Sequence, residues 1–379
     1  MTVMGEKEMT VTIYAMTHKK FEQPRNPIYV PLQVGHACRE DLGYLPDDTG
    51  DNISKLNCYY AELTGVYWLW KNEHISDYIG VCHYRRYLLN NRGKMFSAPE
   101  IEELLSGPYD IMTTKKVILD HSYYEGFSGR HNIEDLIQTE KVIAEFYPEY
   151  LSHYQKLVHQ NKTYFGNMLI TDKATYDKYA QWLFGIFFEL QKIIDPSQYD
   201  DYRMRVYGFI SEFLLYVWVT YHNLKVLECD VAVIGEKKET QELKEQLSVY
   251  FEKGDIQGAK SYFLTVYNKR PDVLMEASDF DGTLKIAMQA ISTAEHERQE
   301  YGQSLCETLC NFDEIITYYK KLNTVIQHIK QQQVTADDKN ALHNMRPSPL
   351  AIEIAVAVLT SEEFRESLYE KVNQILMSE

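Results

Sequence analysis

No stretch of the sequence approaches the run of about 18 apolar residues that a membrane-crossing helix needs, so no transmembrane segment is expected. The N-terminus, "MTVMGEKEMTVTIYAM", has no basic stretch leading into an apolar one, so no secretory signal is expected either. Cysteine is sparse. Cys38, Cys58, Cys82, Cys229, Cys306 and Cys310 make no CxxC pair and no zinc spacing, and Cys306 and Cys310, one turn apart, read as small core residues. This usage suits a reduced, cytoplasmic protein, with peripheral attachment to the inner face of a membrane as a further expectation. Positive charge is also short: 39 Lys and Arg face 55 Asp and Glu, and the net charge of −16 opposes binding to nucleic acid. A local basic patch can still hold one diphosphate.

What is present is aromatic and globular. The 379 residues have room for two domains, 45 % are hydrophobic, and 30 are tyrosine, which offers stacking area with one hydroxyl but serves equally as core. "MTVTIYAMTH" predicts a first strand over about 11–16, and residues 21–50, rich in Pro, Gly and Asp, read as loop or short strand. Ile53, Leu56, Tyr60, Leu63, Tyr67 and Trp70 recur at three and four, which predicts one helix over 53–70. Further strands are expected at "YIGVCHYRRYLL", "YDIMTTKKVIL", "GNMLIT" and "LKVLECDVAVIG". Between them, helices are expected over 133–146, 149–160, 173–193 and in "YRMRVYGFISEFLLYVWVTYH". Strands alternating with helices predict an α/β domain over 1–239 with a mostly parallel sheet and helices on both faces. From 240 to 379 the patterns are helical throughout. One segment resembles a tetratricopeptide hairpin but has no second copy at a fixed period, so an all-α domain is expected rather than a solenoid.

The strand "YIGVCHYRRYLL" starts as core and ends in His83, Tyr84, Arg85, Arg86 and Tyr87. In a parallel sheet the ligand crevice lies beyond the carboxyl ends of the strands, where two arginines and a histidine can fork onto phosphate oxygens. The alternative is a solvated strand end paired to some of the carboxylates. A second stretch, "SDFDGTLK", looks like the nucleophile loop of haloacid-dehalogenase-type phosphatases. It lacks the apolar strand that this chemistry needs before the first Asp, and an Asp-capped helix entry is the expectation.

Several motifs in order resemble a family of bacterial capsular and exopolysaccharide glycosyltransferases, long catalogued as a domain of unknown function. They are Thr17-His18-Lys19, Val34-Gly35, Gly50-Asp51-Asn52-Ile53-Ser54, Glu62-Leu63-Thr64, the Trp68 to Asn72 run and Cys82-His83-Tyr84-Arg85-Arg86-Tyr87. Gly166-Asn167-Met168 and Gly208-Phe209-Ile210-Ser211-Glu212 follow, and the resemblance spans about residues 10–235. It implies a nucleotide-sugar-dependent transferase of the Rossmann-like GT-A fold, distantly similar to the glycogenin-type galactosyltransferases. There the matching strand ends in an Asp-x-Asp metal motif; here it carries His83, Tyr84 and Arg85. That departure points to guanidinium groups rather than a required metal neutralising the leaving diphosphate. Asp47, Asp48 and Asp51 remain the alternative ligands for Mn²⁺ or Mg²⁺.

The resemblance further implies a UDP-sugar donor, with galactose in pyranose or furanose form expected, and a lipid-linked or protein-linked glycan acceptor. Thr17, His18, Lys19, Gly35, Asp51, Asn52, Tyr84 and Asn167 fall on the donor side. Glu212, among apolar neighbours that would raise its pKa, is the expected base in an inverting reaction, with His83, Arg85 and Arg86 at the diphosphate. His131 and Asp135 in "GRHNIEDL" are acceptor-side candidates, and Glu62 reads as structural. The helical domain is expected to bind acceptor, dock a partner enzyme or form a homodimer. The competing function is a non-catalytic glycan- or nucleotide-binding protein on a degenerate transferase fold.

Overall fold

The computed structural model describes residues 9–274, 278–279 and 281–377. The expectation of no leader rests partly on residues 1–8, and the "SDFDGTLK" reading partly on Phe280; these lie outside the described residues. The chain divides into two compact units, residues 1–234 and 235–379.

The first unit contains β1 (Val11–Thr17), β2 (Tyr29–Gln33), β3 (Leu45–Pro46), β4 (Tyr78–His83), β5 (Arg86–Leu89), β6 (Ile111–Thr114), β7 (Val117–Ile118), β8 (Lys162–Thr163), β9 (Leu169–Asp172) and β10 (Val226–Val233). Its helices are α1 (Asn57–Tyr60), α2 (Leu63–Asn72), α3 (Ala98–Leu105), α4 (Tyr123–Ser128), α5 (Ile133–Phe146), α6 (Pro148–Val158), α7 (Lys173–Leu190) and α8 (Val206–Tyr221). β7 and β8 form a small ribbon; the other strands run in the order β3-β2-β1-β4-β5-β10-β6-β9, and β9 also pairs with β4. The last pairing closes β4, β5, β10, β6 and β9 into a ring.

The mostly parallel sheet expected from the sequence is therefore corrected to a mixed one. β1 pairs parallel with β2 and β4, β2 with β3, and β10 with β6, whereas β4–β5, β5–β10, β4–β9 and β6–β9 are antiparallel. The cause is local. His83 pairs with Arg86, so Tyr84 and Arg85 form a two-residue turn, and a connection that short can only join antiparallel strands. Alternation along β1 sends Tyr14 and Met16 into one core, with α2, α7 and α8, and Val11, Ile13 and Ala15 into another, with Ile101 of α3. Helix-to-sheet packing is close at Gly65 on α2, where an added Cβ would lie 2.5 Å from Met16 Sδ and 2.9 Å from Val34 Cγ1.

The helix expected over 53–70 is also corrected: it is broken. A short 3₁₀ turn (Ser54–Leu56) and α1 end at Ala61, with φ 50°, and α2 starts two residues later. The apolar period runs straight through the break, which is why the sequence reads as one helix. Asn57 enforces the interruption, its Nδ2 donating to the Ala61 carbonyl at 2.6 Å, and the Tyr60 ring stacks 4.4 Å from Tyr207 of α8.

The second unit is helical among its described residues: α9 (Lys238–Glu252), α10 (Ile256–Lys269), α11 (Thr283–Tyr301), α12 (Leu305–Thr308), α13 (Phe312–Lys330), α14 (Ala336–Met345), α15 (Pro349–Leu359) and α16 (Glu362–Met377). Its core gathers Leu247, Phe251, Leu284, Ile315, Tyr319, Leu322, Leu342 and Ala355. Asp279 accepts from the backbone N–H groups of Leu284 and Lys285, both at 2.9 Å, so this carboxylate closes the start of α11, as expected of an Asp-capped helix entry. Among the described residues, no helix of the chain is long and apolar enough to cross a membrane.

Candidate functional site

The parallel strands β3, β2, β1 and β4 finish on one edge, since Thr17 is in register with Gln33, Gln33 with Pro46, and Met16 with His83. The strand order reverses between β1 and β4, and crevices that take ligands form at such reversals. Thr17-His18-Lys19, Gly35-His36, Asp47-Asp48 and His83-Tyr84 all leave the sheet at this edge. His18 lies edge-on to the Tyr84 ring at 5.7 Å, while the Thr17 hydroxyl donates to the Lys19 carbonyl and tightens the turn.

The centre of the site is the turn before β9. Gly166, with φ 98°, and Asn167, with φ 48°, hold backbone conformations that favour glycine and asparagine. The turn hands one amide to each of two carboxylates: Gly166 N–H donates to Glu212 at 2.7 Å, and Asn167 Nδ2 donates to Glu62 at 2.6 Å. Asn167 Nδ2 also reaches the Gly208 carbonyl, and the Ser211 hydroxyl donates to Asn167 Oδ1 at 2.8 Å, fixing the amide's orientation. His83 Nε2 meets the Gly166 carbonyl at 2.5 Å, so the strand end and the turn are joined. Arg86 lies alongside: a Cβ on Gly166 would stand 3.5 Å from Arg86 Nη1.

Glu212 is held in an unusual state. Burial and the neighbouring Glu62 charge push its pKa up to about 8, against the lowering pull of the Gly166 N–H, Arg86 and Arg205. Its side chain remains only half-buried, which leaves an approach for a reactant. A carboxyl that exchanges its proton near neutral pH, beside two guanidinium groups, can take a proton from a hydroxyl while the cations hold an anion.

The expected site residues do not all meet. His83, Arg86, Asn167 and Glu212 come together as described. Arg85 sits in the β4–β5 turn and sends Nε to the Ile234 carbonyl at 3.2 Å, so the strand's outward alternation stops before it and Arg86 takes the position facing Gly166. Gly35, Asp51 and Asn52 build the neighbouring loop. The buried Asp47 accepts from Gly35 N–H (2.8 Å), His36 N–H (3.0 Å) and Ser54 Oγ (2.5 Å), while Asp48 pairs with His36. Asp51 accepts from Tyr67 OH, and Asn52 Nδ2 donates to the carbonyls of Asp48 and Gly50.

These bonds engage both oxygens of Asp47 and one oxygen each of Asp48 and Asp51, the alternative ligands for Mn²⁺ or Mg²⁺. Among the described residues no three His, Cys, Asp or Glu side chains are grouped to hold a metal ion. His131 lies with its ring 5.5 Å from Tyr202 and 4.3 Å from Phe209; Asp135 is buried and accepts from Tyr199 OH at 2.6 Å.

Two participants were not singled out for the site from sequence. Glu62 sits at the broken helix, where the interruption between α1 and α2 places it. Arg205 is the residue just before α8, seven before Glu212, and its charge acts on that carboxyl.

The family model described as "Domain of unknown function (DUF4422)" matches residues 12–223, more than half of the chain and every residue of this cluster. The chain belongs to this family. Among solved structures it is similar to the apo form of the bifunctional glycosyltransferase WbbM, with a TM-score of 0.56 and 30 % identity over 60 % of this chain. The match covers 46 % of that protein, so this chain corresponds to less than half of its length. No curated protein matches the chain.

Proposed function

We propose that this DUF4422 protein is a glycosyltransferase that moves a hexose from a UDP-sugar, galactose in pyranose or furanose form, to a hydroxyl of a glycan acceptor in polysaccharide or glycoprotein glycan synthesis. The carrying observation is Glu212, fixed by the Gly166 N–H at 2.7 Å with its pKa raised to about 8 and flanked by Arg86 and Arg205. The nucleotide enters the GT-A-like crevice beyond Thr17, Gly35 and His83, with His18 and Tyr84 as its aromatic wall. Arg86, assisted by His83 and Arg85, neutralises the diphosphate as the glycosidic C–O bond breaks. Glu212 in its carboxylate form accepts the acceptor hydroxyl's proton as that oxygen attacks the anomeric carbon from the opposite face, so configuration inverts. Asn167 holds the turn and orients the donor sugar; His131 and Asp135 lie towards the acceptor. The similarity to WbbM supports the transferase class.

The test is UDP release from a panel of UDP-hexoses, with and without Mn²⁺, by the full chain and its Glu212→Gln and Arg86→Ala variants. The reading requires turnover with at least one donor and a loss of about 10²-fold or more in each variant. Turnover unchanged in Glu212→Gln would overturn it.

A further inference from the structure

A second group of cations lies on the helix side of Glu212. Arg205, at the start of α8, has its guanidinium carbon 5.2 Å from the Tyr202 ring and 5.4 Å from the Phe209 ring. The same two rings flank His131, so the arginine and the imidazole share one aromatic cradle. Arg203 is tied down beside them: its Nε donates to the Arg130 carbonyl at 3.0 Å and its Nη1 pairs with Asp200. Burial, then Arg203, Arg130 and Arg205, hold the His131 pKa down to about 4, which keeps the imidazole neutral. Asp200 is the carboxylate that opposes this field. Two polar atoms in the cradle, Arg205 Nε and His131 Nδ1, are buried with no hydrogen-bond partner among the described residues. An unpaired buried donor such as Arg205 Nε is unfavourable, and an acceptor atom that reaches it removes that cost.

In a chain of net charge −16, three arginines around one aromatic cradle are not a by-product of composition. Arg86, on the sheet side of Glu212, already serves the donor diphosphate in the function proposed above. We propose that Arg205, with Arg203 and Arg130, forms a second anion subsite that receives a phosphate or carboxylate carried by the glycan acceptor. Arg205 is the residue just before α8 and Glu212 lies seven residues further on, within the helix, so an anion held by the first leaves the acceptor hydroxyl free to reach the second. The planar guanidinium, lying beside both rings, offers a fork that suits either anion. The preferred acceptor is thus acidic: a sugar phosphate or lipid-linked phosphate in one case, a uronic acid in the other.

This inference rests on the transferase reading, and the experiment separates the two. The full chain is saturated with UDP to fill the donor subsite and titrated calorimetrically with inorganic phosphate and, separately, with methyl glucuronide. The expected result is that one of these binds alongside UDP, and that Arg205→Gln weakens it by about tenfold or more. Phosphate binding identifies a phosphorylated acceptor, glucuronide binding an acidic sugar. Arg205→Lys keeps the charge but loses the fork, and is expected to fall between the wild type and Arg205→Gln; it serves as the reporter if Arg205→Gln does not fold. UDP binding with neither second anion bound, or second-anion binding insensitive to Arg205, overturns the subsite. Competition between UDP and the second anion also overturns it, because the cations would then serve one diphosphate. Absence of UDP binding with an Arg205-dependent anion site retained would overturn the transferase reading and leave the subsite standing.

Discussion

Glu212→Gln should make the protein more stable at alkaline pH while removing its activity. The carboxyl is raised from an ordinary 4.5 to about 8, mainly by burial and then by Glu62. Between those limits the folded chain keeps a proton that the unfolded chain has released. Unfolding stability therefore falls as pH rises through this window: the contribution is complete below about pH 4.5 and lost above about pH 8. At about 1.36 kcal/mol for each step of one in pKa, the fully developed penalty is at most about 5 kcal/mol. Because an edge of the side chain still meets solvent, about half of that is the working figure. Glutamine keeps the carbonyl oxygen that accepts from Gly166 N–H but has no charge to bury. Calorimetric melting at pH 5 and pH 9 should give near-equal Tm values at pH 5, where both side chains are neutral, and a Tm higher by roughly 4–10 °C for the variant at pH 9. Melting curves that shift in parallel between the two pH values would refute the buried-carboxyl argument.

Glu62→Gln removes the charge that helps raise Glu212 yet can still accept from Asn167 Nδ2, so the acid limb of the kcat/KM profile should move to lower pH; an unmoved limb in a pH–rate series would count against the pair. Asn167→Ala loses both the bond to Glu62 and the side chain that tolerates φ 48°, and should cost about 1–3 kcal/mol in denaturant unfolding together with most of the turnover. Gly65→Val places atoms where Met16 Sδ and Val34 Cγ1 already crowd the Cβ position, and should destabilise by about 1–3 kcal/mol, read as a lower denaturant midpoint.

Much of the scaffold could be read from periodicity. The helix expected over 133–146 matches α5 (Ile133–Phe146), and the strand expected at "LKVLECDVAVIG" contains β10 (Val226–Val233), because each carries its apolar residues at one clean spacing. The two corrections arise where apolar spacing continues through a backbone event that it does not encode. The interruption at Ala61 depends on Asn57 folding back onto a carbonyl, a side-chain bond invisible to hydrophobic pattern. The Tyr84-Arg85 turn contains no Gly, Asn or Asp to announce it, so the strand seemed to run on and the arginine facing Gly166 was not resolved from its neighbour. Glu212 was legible as an acid among apolar residues. Its coupling to Glu62 was not, since 150 residues separate them and the link passes through the Gly166-Asn167 turn.

The central claim is that Arg86 and Glu212 form one catalytic site, the first at the donor's diphosphate and the second at the acceptor hydroxyl. A crystal structure with UDP tests it most directly. The account predicts the diphosphate within hydrogen-bonding distance of the Arg86 guanidinium, at the edge where β1 and β4 end, with the carboxyl of Glu212 facing the space beyond the terminal phosphate. A diphosphate bound away from Arg86, or a nucleotide that blocks all approach to Glu212, would contradict it.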